Sequence, residues 1–326
     1  MTRDVKYLHA INEALREEME RDERVIIIGE DVRAGVFGYT WGLRDKFGDE
    51  RVIDTPISES GFCGMATGAA MHGLRPVVDL RLAVFMYVAL DQILNEAAKL
   101  RYMTGGQTRL PLVFLCRSGA PGGNAAQHSD NPYAIVAQSP GLKVALAADA
   151  YDVKGLLKQA IRDDDPVMVF ASVRGLAGQV PEEEYTIPFG RAVVRREGTD
   201  VTVIATMHLA FEAVKVAEEL QGEGISVEVV DPRSIVPLDT TTLLDSVSKT
   251  GRVVIADDAP RACGVAAELA ALIAEERFAD LKAPIKRVTR LNVPIPFSPP
   301  LEDTVLPTRA KIRAAVRDVL RGAGGD

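Results

Sequence analysis

The stretch "VIDTPISESGFCGMATGAAMHGLRPV", residues 52–77, joins an apolar run typical of a buried strand to a helix rich in glycine and alanine. A polar loop separates the two, and one carboxylate, Glu59, stands where the loop becomes the helix. Ligands of open α/β sheets bind at the carboxyl ends of the strands, so Glu59 is a candidate binding residue. A structural alternative stays open, in which Ser58 or Ser60 caps the helix and Glu59 only favours its positive end.

The alternation of strand and helix continues on both sides of this stretch. Short β-branched runs predict buried parallel strands, and amphipathic runs between them predict helices. Together they predict an α/β domain with a doubly wound parallel sheet flanked by helices. The predicted strands are residues 24–31, 51–57, 75–82, 110–117, 141–148 and 166–172, and the main predicted helices are residues 1–23, 61–73, 89–106 and 150–166.

Residues 173–196 interrupt this rhythm with proline, glycine and an acidic triplet, and they show no helical period. We interpret them as the connection between two domains. The predicted organisation is a first domain over residues 1–180, a linker over residues 181–198, and a smaller α/β domain over residues 199–326.

The composition argues against several broad classes of function. The net charge of -8 and the lack of a dense Lys/Arg run argue against nucleic acid as a partner. Three cysteines without paired spacing argue against a disulfide framework or a zinc site. No apolar run approaches the roughly 18 residues that span a bilayer. We therefore expect a cytoplasmic protein without membrane association.

Three further features could carry chemistry, and each has a structural alternative. Residues 117–133, "RSGAPGGNAAQHSDNPY", place His128 in a glycine-rich loop that could approach a ligand, or that could simply be exposed. Phe85 could stack on a flat ring or belong to the core. Residues 160–166, "AIRDDDP", collect oxygen atoms that suit a hard cation, although acidic helix ends are common without one.

Several familiar catalytic motifs are missing from the sequence. None of the patterns GxGxxG, GxxxxGK[ST], HExxH and GxSxG occurs. Their absence disfavours a nicotinamide dehydrogenase, a P-loop enzyme and a serine hydrolase.

Six blocks of sequence, taken in order, resemble the beta subunits of the thiamine-diphosphate-dependent 2-oxo acid dehydrogenases. These form the decarboxylating component of the pyruvate, branched-chain and acetoin dehydrogenase complexes. The resemblance covers nearly the whole chain, and chance does not produce six such blocks in sequence. The blocks are "IIIGEDV…GVF…T.GL.DKFGDERVIDTPISESGFCGMATGAAMHGLRPVVD" (26–79), "DQILNEAAKLRYMTGGQ" (91–107), "QHSDNPYAIVAQSPGLKV" (127–144), "YDVKGLLKQAIRDDDPV" (151–167), "EVVDPRSIVPLD" (228–239) and "APIKRVTRLNVPIPF" (283–297).

The resemblance implies a transketolase-like fold, with a pyrimidine-binding domain followed by a smaller transketolase C-terminal domain. It implies an α2β2 heterotetramer whose alpha subunit holds the diphosphate and Mg²⁺ through a GDG motif that this chain lacks. The implied reaction decarboxylates a 2-oxo acid, or cleaves acetoin, and passes the acyl group to a lipoyl-bearing acyltransferase. The implied cofactors are thiamine diphosphate with Mg²⁺ and a possible structural K⁺.

Individual residues match functional positions of that family. Glu59 matches the glutamate that contacts the aminopyrimidine ring, where a carboxylate favours the tautomer that can accept a proton. Ile57 and Phe85 match positions beside the same ring, and His128 matches a loop histidine near the substrate and the lipoyl group. A structural site for a monovalent cation is implied at Leu112, Ala160, Ile161, Asp163 and Asp165.

The chain departs from the family in two places. Arg81 and Val84 stand where relatives often have a glutamine and an acidic residue or asparagine, and we count Arg81 among the expected cofactor-binding residues. Residues 171–178, "ASVRGLAG", lack a glutamate and a Leu-Tyr pair that are common in the family. The substrate and partner surfaces are therefore expected to differ from those of well-known members.

Two alternative functions stay open. The chain could be the beta half of a split transketolase-like enzyme without a lipoyl acceptor, or a non-catalytic subunit that serves assembly. Retention of both Glu59 and His128 argues against the second alternative.

Overall fold

The computed structural model describes residues 1–321, and the chain divides into two compact units. The first unit comprises residues 1–118 and 135–189, and the second comprises residues 119–134 and the chain from residue 190 onward. The boundary between the units at residues 189 and 190 lies within the predicted linker, residues 181–198. The sequence places residues 119–134 in the first domain, whereas the structure groups this loop with the second unit.

The first unit contains a parallel sheet in which the strand order is β6-β7-β5-β4-β2-β3. A separate antiparallel pair joins β1 to β8. The strands are β1 (Thr2–Val5), β2 (Val25–Gly29), β3 (Val52–Asp54), β4 (Arg75–Leu82), β5 (Val113–Ser118), β6 (Lys143–Asp149), β7 (Val167–Leu176) and β8 (Gly178–Pro181). The parallel sheet confirms the six strands that the sequence predicts.

Helices follow most of these strands, as the predicted βα alternation requires. The α-helices are α1 (Tyr7–Arg21), α2 (Leu43–Phe47), α3 (Glu59–Met71), α4 (Leu100–Met103), α5 (Tyr133–Ala137) and α6 (Ala150–Arg162). α3 packs closely on its neighbour, since a Cβ added at Gly64 would lie 2.7 Å from the side-chain oxygen of Gln92. The close approach explains the small residues of this helix.

Two predicted helices differ from the structure. The predicted helix over residues 1–23 contains strand β1 in its first part, and only residues 7–21 are helical. The predicted helix over residues 89–106 is divided between a π-helix (Asp91–Ala97) and α4, and it follows a 3₁₀ helix (Ala83–Ala89). Apolar spacing of three and four residues does not distinguish these helix types over such short stretches.

The predicted connection over residues 173–196 also contains regular structure that the sequence reading missed. β7 continues to Leu176, β8 pairs with β1, and residues 193–196 form a strand of the second unit. β8 pairs through its backbone with a strand some 175 residues earlier in the chain, and local sequence carries little information about such a partner.

The second unit is a smaller α/β structure, as expected. Its sheet has the strand order β14-β13-β10-β11-β9, with only β9 antiparallel to its neighbour. The strands are β9 (Val193–Arg196), β10 (Val201–Ala205), β11 (Val227–Asp231), β12 (Ser234–Val236), β13 (Val253–Pro260) and β14 (Lys286–Arg290). The helices are α7 (His208–Gln221), α8 (Thr240–Thr250), α9 (Val265–Arg277), α10 (Pro299–Val305) and α11 (Arg309–Arg321).

Each unit has its own apolar core. β2 has the sequence VIIIG and is buried along its whole length, as expected for a strand covered on both faces. A Cβ at Gly29, the last residue of β2, would lie 2.6 Å from the carbonyl oxygen of Asp79, so the two strands can approach closely at this edge. Within residues 1–321, none of the helices combines the length and apolarity needed to cross a bilayer.

Candidate active site

The carboxyl ends of β2, β3 and β4 lie side by side at one edge of the first sheet. Gly29 of β2 is in register with Asp54 of β3 on one side and with Asp79 of β4 on the other. The chain leaves this edge at Glu30 after β2, through residues 55–58 after β3, and near Arg81 at the end of β4. Parallel strands thus bring segments that are distant in sequence to the edge at which such sheets bind ligands.

Glu59 is the first residue of α3 and is 8% exposed. Among residues 1–321, none donates a hydrogen bond to its carboxylate or forms an ion pair with it. The capping alternative is not observed, because the Ser58 side chain makes no capping bond and Ser60 Oγ donates to the Val88 carbonyl oxygen at 2.5 Å. The Glu59 carboxylate can therefore accept a hydrogen bond from a group outside the described chain.

Glu30 is a second carboxyl group at the same edge, and it is partly buried. Burial, followed by the negative charge of Glu59, raises the pKa of Glu30, and Arg81 opposes this effect. Its Oε1 atom is buried and has no hydrogen-bond partner within the described chain. The sequence analysis assigned Glu30 no role, although its place after a strand end is the same signal that singled out Glu59.

Arg81 is an expected cofactor contact, but its guanidinium already contacts side chains of the first unit. Its guanidinium lies 2.8 Å from the Asp31 carboxylate, 4.0 Å from that of Glu30, and over the Phe37 ring at 4.2 Å from the centroid. Its φ of +59° is in the left-handed region that non-glycine residues seldom adopt. The buried Nε–H has no acceptor among residues 1–321, so this one group is available to a ligand.

Asp79 fixes the backbone at the end of β4. Tyr39 donates its hydroxyl to Asp79 Oδ1 at 2.6 Å, and the Arg81 backbone N–H donates to the same atom at 2.8 Å. Burial raises the pKa of Asp79 to about 6. The sequence reading missed this pair, because Tyr39 lies 40 residues away in an irregular segment.

The two expected ring contacts differ in exposure. Ile57 is 82% exposed, and Phe85 is half-buried on the 3₁₀ helix that follows β4. An exposed aliphatic residue, an aromatic residue and the orphaned carboxylate of Glu59 are chemically suited to an aminopyrimidine, which is flat, partly apolar and carries N–H donors. The residues present therefore fit the pyrimidine end of thiamine diphosphate.

His128 lies in the second unit, exposed at the end of a short 3₁₀ helix (Ala126–His128). The loop after it is anchored within that unit: Arg290 Nη2 lies 2.6 Å from the Asp130 carboxylate, and Asn131 donates to the Asp258 carbonyl oxygen at 2.6 Å. Ser129 and Arg290 also line a cavity of about 310 Å³ beside the loop.

The five residues expected to hold a monovalent cation are close together at the end of α6. Their oxygens, however, accept hydrogen bonds from the chain itself. The Arg75 guanidinium donates to the carbonyl oxygens of Ile161 and Asp163, and the Lys143 ammonium donates to the carboxylates of Asp163 and Asp165. These residues do not fit a bound cation as the resemblance implies. No group of three or more His, Cys, Asp or Glu side chains within residues 1–321 could hold a metal ion.

Known proteins resemble the chain along nearly its whole length. The family "Transketolase, pyrimidine binding domain" matches residues 3–178, and "Transketolase, C-terminal domain" matches residues 190–312. The acetoin:2,6-dichlorophenolindophenol oxidoreductase subunit beta of Bacillus subtilis (strain 168) is 43% identical over 98% of both chains. The 2-oxoisovalerate dehydrogenase subunit beta of the same organism is 42% identical over 97% of this chain and 98% of its own.

A solved structure is also similar to the chain over nearly its whole length. The structure described as "Split gene transketolase, inactive beta4 tetramer" superimposes with a TM-score of 0.82 at 25% identity, over 97% of this chain and 98% of that one.

Proposed function

Since the chain belongs to the family of beta subunits of the thiamine-diphosphate-dependent 2-oxo acid and acetoin dehydrogenases, we propose that it supplies the pyrimidine-binding half of such an enzyme's active site. The observation that carries the proposal is the buried Glu59 carboxylate, which has no donor within residues 1–321 and lies at the ligand-binding edge of the sheet.

Glu59 would pair with a ring nitrogen of the aminopyrimidine and hold a proton at its own carboxyl oxygen. Thiamine diphosphate, when bound, supplies a carbon nucleophile that can cleave the bond beside a carbonyl group. A hydrogen bond between this carboxylate and the ring nitrogen is weakly screened in a poorly hydrated site, and it would favour the pyrimidine tautomer that can accept a proton. Glu30 would add a second carboxyl group beside Glu59, and burial together with the negative charge of Glu59 raises the pKa of Glu30.

Ile57 and Phe85 would cover the faces of the pyrimidine ring and exclude water from it. Arg81 would supply positive charge beside the two carboxyl groups. Its guanidinium partly offsets the negative charge of Glu30, and its free Nε–H offers one donor at the strand edge.

His128 would serve the later steps. An imidazole on an exposed loop can donate or accept a proton near neutral pH. The anchored residues that follow it would fix the position of the loop within its own unit.

We further propose an α2β2 assembly in which an alpha chain holds the diphosphate and Mg²⁺. The lack of a GDG motif in this sequence supports that division. The acyl acceptor would be the lipoyl group of an acyltransferase, and the substrate a small 2-oxo acid or acetoin, as the names of the relatives suggest.

A split transketolase-like enzyme without a lipoyl acceptor is the second candidate. The likeness to the split gene transketolase favours it. Both candidates require the same pyrimidine site in this chain, and they differ in the acceptor.

The test is co-expression with the alpha chain, followed by a screen of 2-oxo acids and acetoin. Turnover would be measured with 2,6-dichlorophenolindophenol and, separately, with a lipoyl-bearing acyltransferase. We expect activity with both acceptors for at least one substrate. Activity with the dye alone would favour the split transketolase-like enzyme, and a purified complex without activity on any substrate would contradict a catalytic role.

A further inference from the structure

The turn after α6 gathers oxygen atoms at the negative end of a helix. The last carbonyl groups of a helix have no partners within it, and the helix dipole places partial negative charge there. α6 ends at Arg162, and Asp163, Asp164 and Asp165 follow directly. Such a cluster requires positive charge close by.

Arg75, the first residue of β4, supplies part of that charge. Its Nη1 donates to the carbonyl oxygens of Ile161 and Asp163, both at 2.9 Å, and its Nη2 donates to Asp164 Oδ1 at 2.8 Å. The Arg75 side chain is only 13% exposed. The guanidinium thus caps the helix end as a metal cation would, through several oxygens at once.

Lys143, the first residue of β6, supplies the rest. Its ammonium lies 2.7 and 2.8 Å from the two oxygens of Asp163 and 3.2 Å from Asp165 Oδ2. Burial alone would lower the pKa of Lys143, but the hydrogen bonds to Asp163 and Asp165 outweigh burial and raise it. Arg101 also contacts Asp165.

Two further carbonyl oxygens of the expected cation site accept hydrogen bonds from backbone N–H groups. The Leu112 carbonyl oxygen accepts from the Val167 N–H at 2.9 Å, and that of Ala160 accepts from the Asp163 N–H at 3.2 Å. A hard cation needs several oxygens free to coordinate it. Here each candidate residue already has an oxygen bound to a donor of the chain.

We propose that Arg75 and Lys143 take the place of a monovalent metal cation at this turn, so that the protein needs no K⁺ there. Entry of K⁺ would place a third positive charge beside a guanidinium and an ammonium. It would also have to displace hydrogen bonds whose loss leaves buried charges unpaired. The inference concerns the stability of the first unit and is independent of the reaction proposed above.

The test compares thermal unfolding of the full chain, and of its complex with the alpha chain, in KCl and in tetramethylammonium chloride at equal ionic strength. We expect the same melting temperature in both salts for the unaltered protein. Arg75→Met should lower the melting temperature by several degrees in tetramethylammonium chloride, and KCl should restore part of the loss. Lys143→Met, at a more exposed position, is the second variant should Arg75→Met fail to fold.

Arg51→Met is the matched control. Arg51 also donates to carbonyl oxygens, those of Met19, Asp22 and Val25, but its side chain hydrogen-bonds no carboxylate among residues 1–321. Its loss should therefore lower the melting temperature equally in both salts.

Three results would overturn the proposal. These are selective stabilisation of the unaltered protein by KCl, an anomalous-scattering peak at this turn in crystals grown with Rb⁺, and variants at Arg75 and Lys143 that unfold like the unaltered protein. Destabilised variants that KCl does not selectively restore would show that these oxygens do not form a cation site, and the proposed replacement would then be wrong.

Discussion

Glu59 is a buried carboxyl group and Glu30 a partly buried one at the same strand edge; within residues 1–321 the Glu59 carboxylate has no donor, and the buried Oε1 of Glu30 has none. Such an arrangement destabilises the unliganded protein and is retained where a ligand supplies the missing partner. The position of Glu59 after a strand end was predictable from the sequence. The contribution of Glu30 was not, because it depends on burial and on the distance between two segments.

Replacing Glu59 with glutamine in the complex should lower turnover by about 10²-fold or more, the range that acid–base groups supply. The amide keeps the volume of the side chain but loses the proton-accepting carboxylate. Steady-state kinetics at saturating cofactor would measure the loss. Glu23→Gln, at an exposed position, is the control, and an unchanged turnover number in Glu59→Gln would contradict the role assigned to Glu59.

His128→Ala should leave hydrogen exchange at the cofactor's reactive carbon nearly intact and reduce acyl transfer to lipoamide. The reason is that His128 belongs to an exposed loop, whereas activation is assigned to Glu59. Both quantities can be measured in the same reconstituted complex. A loss of exchange as large as the loss of turnover would place His128 in activation or cofactor binding instead.

Asp79→Asn should stabilise the protein at neutral pH. The pKa of Asp79 is raised from 3.8 to about 6, so its contribution to stability is fully present below the unfolded value and is lost as pH rises through the folded value. The charged form then costs up to about 3 kcal/mol. Asparagine can still accept from Tyr39 without that cost.

Denaturant unfolding near pH 7 and at about pH 4 would measure this effect as the difference between the variant and the unaltered protein. The gain should be present at neutral pH and disappear at the acidic pH. Asp49→Asn is the control, because the hydrogen bond to Arg44 lowers the pKa of Asp49 and no gain is expected. A gain of equal size at both pH values would show that charge is not the cause.

At the scale of elements, the buried parallel strands were predictable because continuous apolar runs leave few alternatives. The pairing of β1 with β8 was not, because residues 2–4 are exposed and polar and their strand partner lies far along the chain. The presence of cationic side chains at the end of α6 was equally unpredictable from the sequence. Arg75 and Lys143 each begin a strand, and only the folded sheet brings them to the helix end.

The packing of α1 on α6 includes a buried ionic cluster. Glu18 is fully buried and accepts from Arg162 at 2.5 Å and from Arg21 at 2.8 Å. Glu18→Gln should destabilise the protein by about 3 kcal/mol, because it removes the buried charge that pairs with Arg162 and Arg21. Glu219→Gln, in a half-exposed pair with Arg313, should change stability by less than about 1 kcal/mol. Urea unfolding would measure both variants, and equal losses would contradict the importance of burial.

At the scale of the whole molecule, both units contain functional candidates, and the sequence predicted which segments carry them. It did not predict that residues 119–134 group with the second unit. That grouping depends on contacts such as Arg290 with Asp130 and Tyr133 with Asp257, which connect residues more than 120 positions apart. Local periodicity contains no information on such contacts.

If this chain contains half of a thiamine diphosphate site, as we propose, the cofactor should bind tightly only to the assembled complex. Calorimetric titration of thiamine diphosphate with Mg²⁺ into the isolated folded chain, and into its complex with the alpha chain, would measure this difference. We expect saturable, Mg²⁺-dependent binding to the complex and none of comparable strength to the isolated chain, since no described residue group holds the metal. Glu59→Gln should weaken binding to the complex without abolishing it. Micromolar, Mg²⁺-dependent binding to the isolated chain would contradict the claim.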